Sequence, residues 1–239
     1  MNERKQSVRI QTSILSSLER KTLTALARKQ PKWVTSDMLT FIGTFGAIVI
    51  ALGYILTNIN LNYLWLSSLG YVINWYGDSL DGSLARYRNQ QRPVYGFYLD
   101  HTMDAINELI MFAGAGLSVM MRQFPLAMMV LVLYLMLTLN VTVNAHLKGE
   151  FKLTYAKLGP TELRIIMILA NTLLVCLPSL ATFSTQCHIF GREISLGLFD
   201  ILAAILFVGL TVIYLATVVS DARYYAKIDP LPKKDSEKE

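Results

Sequence analysis

The sequence predicts an all-α integral membrane protein: six transmembrane helices preceded by an amphipathic helix on the membrane surface. Three observations predict it. First, 53% of the residues are hydrophobic, the mean hydropathy is +0.41, and only 16% are charged, against about 25% in ordinary soluble domains. A soluble fold of 239 residues could not hide that much apolar surface. Second, apolar stretches close to the roughly 20 residues that cross a bilayer recur along the chain. Third, lysine and arginine concentrate on alternate connections between those stretches.

Taken in order, the stretch from Ser7 to Lys29 is too polar to span. Its Ile10, Ile14, Leu18 and Leu26 recur near helical spacing among basic residues, which suits a helix lying on the membrane surface. A solvated basic tail is the alternative. The expected spans are 38–57, 61–77, 97–121, 126–145, 163–183 and 198–220, and no charged residue occurs from Met38 to Gly77. The connections are short, so one bundle is expected: a cytoplasmic segment 1–36 with the surface helix, a six-helix catalytic domain 37–221, and a polar tail 222–239. Residues from Pro230 onward are polar enough to be disordered. The first 36 residues are polar and basic, without the apolar core of a cleavable signal peptide. Two cysteines, Cys176 and Cys187, are too few for a disulfide framework.

Orientation follows from the basic residues. Arg4 through Lys32, then Arg86, Arg88 and Arg92, then Lys148, Lys152, Lys157 and Arg164, then Arg223 through Lys238 all fall on one side. The other side holds only Arg122 and Arg192. The positive-inside rule makes the first side cytoplasmic, with both termini on it.

One segment carries the chemistry: Asp78, Asp81, Gly82, Ala85 and Arg86, followed by Gly96, Asp100 and Asp104. Asp78 and Asp81 are three apart and Asp100 and Asp104 four apart, so each pair shares a helix face. The first pair ends the second span and the second pair begins the third, so antiparallel neighbours would bring four carboxylates to one depth. Four unpaired anions there would cost several kcal/mol each at least. One arginine, Arg86, does not balance them, whereas hard divalent cations with oxygen ligands do. Two such ions can clamp a phosphoryl group. Gly82 lets a ligand approach the backbone, Ala85 keeps that face low, Arg86 offers a planar fork of donors to a diphosphate, and Gly96 opens space on the facing helix.

The spacing resembles the signature of the CDP-alcohol phosphotransferase family, D-x-x-D-G-x-x-A-R followed by G-x-x-x-D-x-x-x-D, and all eight fixed residues are present. The six spans, surface helix and cytoplasmic site are also similar to that family. The resemblance implies that Asp78, Asp81 and Asp100 ligate metal, and that Asp104 helps bind metal and takes the acceptor hydroxyl's proton. It implies that Gly82 and Arg86, with Ala85 and Gly96, form the donor site, that two Mg²⁺ or Mn²⁺ ions serve as cofactors, that CMP leaves, and that the protein is a homodimer. Two departures stand out. Nine residues (87–95) separate Arg86 from Gly96, where the family usually has seven or eight, and the extra residue is expected at Arg92-Pro93. Thr35-Ser36-Asp37 stands where relatives often have T-P-N.

The expected reaction moves a phosphoalcohol from CDP to a hydroxyl in phospholipid biosynthesis. The favoured form carries phosphatidyl from CDP-diacylglycerol to a small polar acceptor in a prokaryotic cell membrane. The alternative is CDP-ethanolamine or CDP-choline with diacylglycerol. Lys148, Lys152, Lys157 and Arg164 are acceptor-binding candidates, set against a role in topology and contact with anionic lipid heads alone. Expected partners are the CDP-linked donor, the hydroxyl acceptor, membrane lipids and a second subunit, with no nucleic acid. Intramembrane carboxylates also mark ion pathways, but a transporter does not require Gly82, Ala85, Arg86 and Gly96 at these offsets. Asp200 and Glu108 lie in the sixth and third spans; Glu108, one turn beyond Asp104, is placed to face the same cavity, with a structural hydrogen bond as the alternative.

Overall fold

A computed structural model describes residues 8–10, 15–148, 150–152, 160–189 and 191–231. The elements begin with β1 (Val8–Ile10), α1 (Ser16–Lys29), α2 (Ser36–Leu56), α3 (Leu64–Tyr87), α4 (Pro93–Gly116) and α5 (Phe124–Lys148). They continue with β2 (Glu150–Lys152), α6 (Pro160–Cys176), α7 (Pro178–Ala181), β3 (Ser184–Ile189), β4 (Arg192–Gly197) and α8 (Leu198–Ile228). Over Ser36–Leu56, Phe124–Asn144 and Leu198–Ile228 the helices are long and apolar enough to cross a membrane. Shorter α6 has 17 residues, and α3 mixes apolar side chains with Ser67, Ser68, Asn74 and its aspartates.

Local chemistry sets the helix ends near the site. The Thr35 hydroxyl accepts the Met38 amide at 3.2 Å and caps α2. At the end of α3, Asn89 takes a left-handed φ of 55°. The amides of Asn89 and Gln90 return to the carbonyls of Arg86 (3.2 Å) and Ala85 (2.9 Å), a Schellman closure. The long spacer therefore turns at Asn89, whereas the sequence suggested Arg92-Pro93. Pro93 instead opens α4, where its missing amide costs nothing. Arg88 fastens this turn to the α1–α2 linker through the carbonyls of Val34, Gln30 and Pro31.

Helices α2 and α3 run antiparallel in backbone contact. A Cβ on Gly77 would run into the Gly43 backbone, and one on Gly46 into the Asn74 backbone. Small residues at such a seam let helices approach closely in a bilayer. Around it, α4 packs on α2, α6 on α3, and α5 bridges α4 and α8. One core surrounds Ile50, Tyr54, Leu64 and Tyr71, and a second joins Leu23 and Ala27 of α1 to Leu39, Leu80 and Leu84. The buried Asp200 accepts the amides of Arg122 (2.8 Å), Gln123 (2.8 Å) and Gly197 (2.6 Å), tying the start of α8 to the α4–α5 turn.

Several boundaries differ from the sequence expectation. The first helix begins at Ser16, and Val8–Ile10 is a strand paired in parallel with Glu150–Lys152. Leu23 and Ala27 of α1 are buried against the bundle while Leu18 stays 62% exposed. Of the expected apolar pattern, Leu26 packs against the same cluster, whereas Leu18 faces away from it. Ile14 lies outside the described residues. The fifth apolar stretch stops at Cys176, because Pro178 has no amide to donate and pushes Leu177 off helical angles. The residues after α7 form the antiparallel hairpin β3–β4 with Gly191 at φ 76°. Helix α8 continues to Ile228, past the expected boundary at Ser220, and ends where Asp229 precedes Pro230.

Substituting Gly77→Ala should lower the thermal unfolding midpoint in detergent, since overpacking a filled seam costs roughly 1–3 kcal/mol. Gly209→Ala, where a Cβ meets nothing within 4 Å, should leave that midpoint unchanged or slightly raised.

Candidate metal and nucleotide site

The seam between α2 and α3 delivers the acidic residues to one place. Asp78 and Asp81 lie on α3, while Asp100 and Asp104 lie on α4 across the Asn89 turn. Asp78, Asp100 and Asp104 each offer a carboxylate oxygen, and the three atoms lie within 4.8 Å of one another. Asp81 sits beside this trio. Its Oδ2 accepts the Thr40 hydroxyl at 2.7 Å, and its Oδ1 accepts the Gly82 amide. The charges of Asp100 and Asp78 still act on it. The Ser36 hydroxyl donates to the Asp81 carbonyl at 3.0 Å, so two α2 side chains hold this turn of α3 in place.

Arg164 enters from the first turns of α6. Its Nη2 donates to Asp78 Oδ2 at 2.6 Å and its Nε to Asn74 Oδ1 at 2.9 Å. Asn74 is itself fixed by donating to the Gly43 carbonyl at 2.9 Å. The pair is mostly buried, with side-chain exposures of 15% for Arg164 and 21% for Asp78. Nη1 of Arg164 is buried with no hydrogen-bond partner among the described residues. Of the four acceptor candidates, Arg164 reaches the acidic cluster. Lys148 closes α5 and Lys152 ends β2, while Lys157 lies outside the described residues.

The other signature residues surround the carboxylates. A Cβ on Gly82 would meet Arg86 Nη1 at 3.2 Å, so the guanidinium lies over the glycine, and its Nη2 donates to Ser83 Oγ at 3.0 Å. Ala85 is half-buried one turn on. Gly96 is exposed, and a Cβ there would find nothing within 4 Å, which leaves the first turn of α4 open beside the cluster. His101 stacks on Phe97 at 4.0 Å and stands 3.7 Å from Asp100. Glu108 continues the acidic face of α4 beside Tyr134 of α5, with Oε2 buried and lacking a partner among the described residues. Sequence reasoning missed Ser36, Thr40, Asn74 and Tyr134. Their signal was present as uncharged polar residues within apolar stretches, whose buried hydroxyls and amides require partners.

This donor set suits a hard divalent cation. All the ligand atoms are carboxylate oxygens, converging from two helices, and the charge of Arg164 meets only part of theirs. The residues of Asp78, Asp100 and Asp104 can hold such an ion, with Asp81 adjoining.

The sequence pattern of this domain places the chain in a known class. The family model described as CDP-alcohol phosphatidyltransferase matches residues 33–219, and the chain belongs to that family. With its apolar helices, it is an integral membrane protein. Among curated proteins, it is similar to a phosphatidylinositol phosphate synthase of Cutibacterium acnes (strain DSM 16379 / KPA171202), with 33% identity over 84 residues. That match spans 35% of this chain and 38% of the relative's length.

Asp100→Asn should weaken Mn²⁺ binding, followed by electron paramagnetic resonance of the purified protein. The loss should be at least the roughly tenfold typical of removing an outer-shell partner. Unchanged affinity would remove Asp100 from the ligand set.

Proposed function

We propose that the protein transfers a phosphoalcohol group, in its favoured form phosphatidyl from CDP-diacylglycerol, to the hydroxyl of a small polar acceptor. The observation that carries this reading is the meeting of Asp78, Asp100 and Asp104 in the signature order. The name of the Cutibacterium relative, a phosphatidylinositol phosphate synthase, favours phosphatidyl as the group moved. One or two Mg²⁺ or Mn²⁺ ions held by Asp78, Asp81, Asp100 and Asp104 would supply charge neutralisation and a clamp on phosphoryl oxygens.

The chain's own residues account for the rest. Arg86, lying over Gly82, meets the donor diphosphate with its planar fork, while Ala85 and the open turn at Gly96 leave room for the nucleotide. Asp104 accepts the proton of the acceptor hydroxyl. The acceptor oxygen bonds to the phosphorus that carries the alcohol. The bond from that phosphorus to the bridging oxygen breaks, and CMP departs with the electron pair. Arg164 is anchored on Asn74 and Asp78, and its Nη1, buried without a partner among the described residues, is the donor this reading assigns to the acceptor. Lys148, Lys152 and Lys157 lie on the connection leading to it. In this reading the site and both termini face the cytoplasm, α1 rides the membrane surface, and the working unit is a homodimer.

Purified protein in detergent–lipid micelles with Mn²⁺ and CDP-diacylglycerol should release CMP in the presence of one member of an acceptor panel. Asp104→Asn should abolish that release while the unfolding profile is retained. Normal turnover by Asp104→Asn would end its assignment as base. Metal-dependent release only with CDP-ethanolamine or CDP-choline plus diacylglycerol would overturn the choice of donor.

A further inference from the structure

The outer face of α1 is turned away from the bundle. By helical geometry Leu18, Lys21, Ala25, Arg28 and Lys29 form one stripe, and all five are exposed. The stripe lies opposite Leu23 and Ala27, which are buried against the bundle. Arg20 and Lys32 are exposed as well. Among the described residues, no carboxylate pairs with these cations. Leu18 is 62% exposed, and Trp33, just before α2, is 70% exposed. Water suits the cations but not Leu18 and Trp33. A bilayer interface suits both, because apolar groups enter between the headgroups while lysine and arginine reach the lipid phosphates. Trp33 adjoins a helix long and apolar enough to cross the membrane, which puts it at headgroup depth, where tryptophan is enriched. Cations without balancing anions favour an anionic surface over a zwitterionic one.

The inner side of α1 is fastened to the start of α6. Glu19, the acidic residue of α1, accepts Trp75 Nε1 at 3.3 Å and the Thr161 hydroxyl. The Leu15 amide donates to Glu162 Oε1 at 2.9 Å. Thr161 and Glu162 belong to the first turn of α6, and Arg164 follows on the same helix. A helix of 14 residues is marginal by itself, so α1 depends on what it packs against. Only the docked, helical state aligns the cationic stripe with Trp33. A surface that binds this aligned face therefore favours the docked state.

We propose that the outer face of α1 binds anionic lipid headgroups and that this contact, passed through Glu19 and Leu15, steadies the first turns of α6 and with them Arg164. Membrane charge thereby regulates the site. The effect on turnover rests on the reading of Arg164 as an acceptor-binding residue, whereas the effect on α6 does not.

The test places the full chain in nanodiscs of phosphatidylcholine alone or with added phosphatidylglycerol. It reads amide hydrogen exchange at residues 164–167 and CMP release with CDP-diacylglycerol, Mn²⁺ and the acceptor panel. Added phosphatidylglycerol should slow that exchange at least about fivefold, the low end of an allosteric coupling, and should raise CMP release. The triple variant Lys21→Gln, Arg28→Gln, Lys29→Gln should lose both responses and match wild type in phosphatidylcholine alone. Thr161→Ala, which removes a donor to Glu19, should weaken the exchange response with the cationic stripe intact. Wild-type exchange that is equal in the two lipids, or a response that persists in the triple variant, overturns the proposal. An exchange response without CMP release from any acceptor supports the lipid contact and overturns the proposed reaction instead.

Discussion

Everything at the acidic site depends on how closely α2 and α3 approach. The glycine contacts at Gly43, Gly46 and Gly77 bring the two backbones together without intervening side chains. Because of that approach, Thr40 and Ser36 of α2 reach the Asp81 turn of α3, and Asn74 of α3 reaches the Gly43 carbonyl of α2. Asn74 in turn positions Arg164 against Asp78. A seam wider by one methyl group would stretch each of these bonds, and the carboxylates would lose their supports before any ligand arrived. In a bilayer, where apolar side chains gain little by leaving lipid for protein, close packing and hydrogen bonds of this kind hold helices together.

The same contacts show how a group of like charges is kept in a compact bundle. Two of the carboxylates are given donors: Thr40 and the Gly82 amide for Asp81, and Arg164 for Asp78. Helix α1 extends the arrangement to the far side of α6. Glu19 accepts from Trp75 of α3 and from Thr161, and Glu162 accepts the Leu15 amide at 2.9 Å. The segment that begins α6, and with it Arg164, is thus held between α1 and α3. This bracing leaves the opening at Gly96 as the accessible side.

Much of this was legible in the sequence, and what was missed has physical reasons. The acidic residues were readable because a carboxylate in an apolar stretch is costly and their three- and four-residue spacings fix a shared face. The helices were readable from hydropathy, but their ends were not. Hydropathy does not register that Pro178 stops α6, or that Asn89 closes α3 in a left-handed turn. The seam glycines were passed over because, within apolar runs, they carry no charge and little hydropathy. Arg164 was singled out as one of four basic residues on a connection. Its contact with Asp78 depends on the α3–α6 packing, which no local pattern encodes.

The central claim is that three helix-borne carboxylates, from Asp78, Asp100 and Asp104, form one cation site. Anomalous diffraction at a manganese-sensitive wavelength, from crystals of the full chain grown with Mn²⁺, tests it most directly. The account predicts an anomalous peak bonded to oxygens of those three residues, with Asp81 alongside. Manganese located elsewhere, or an acidic cluster left without a peak at saturating Mn²⁺, would contradict it.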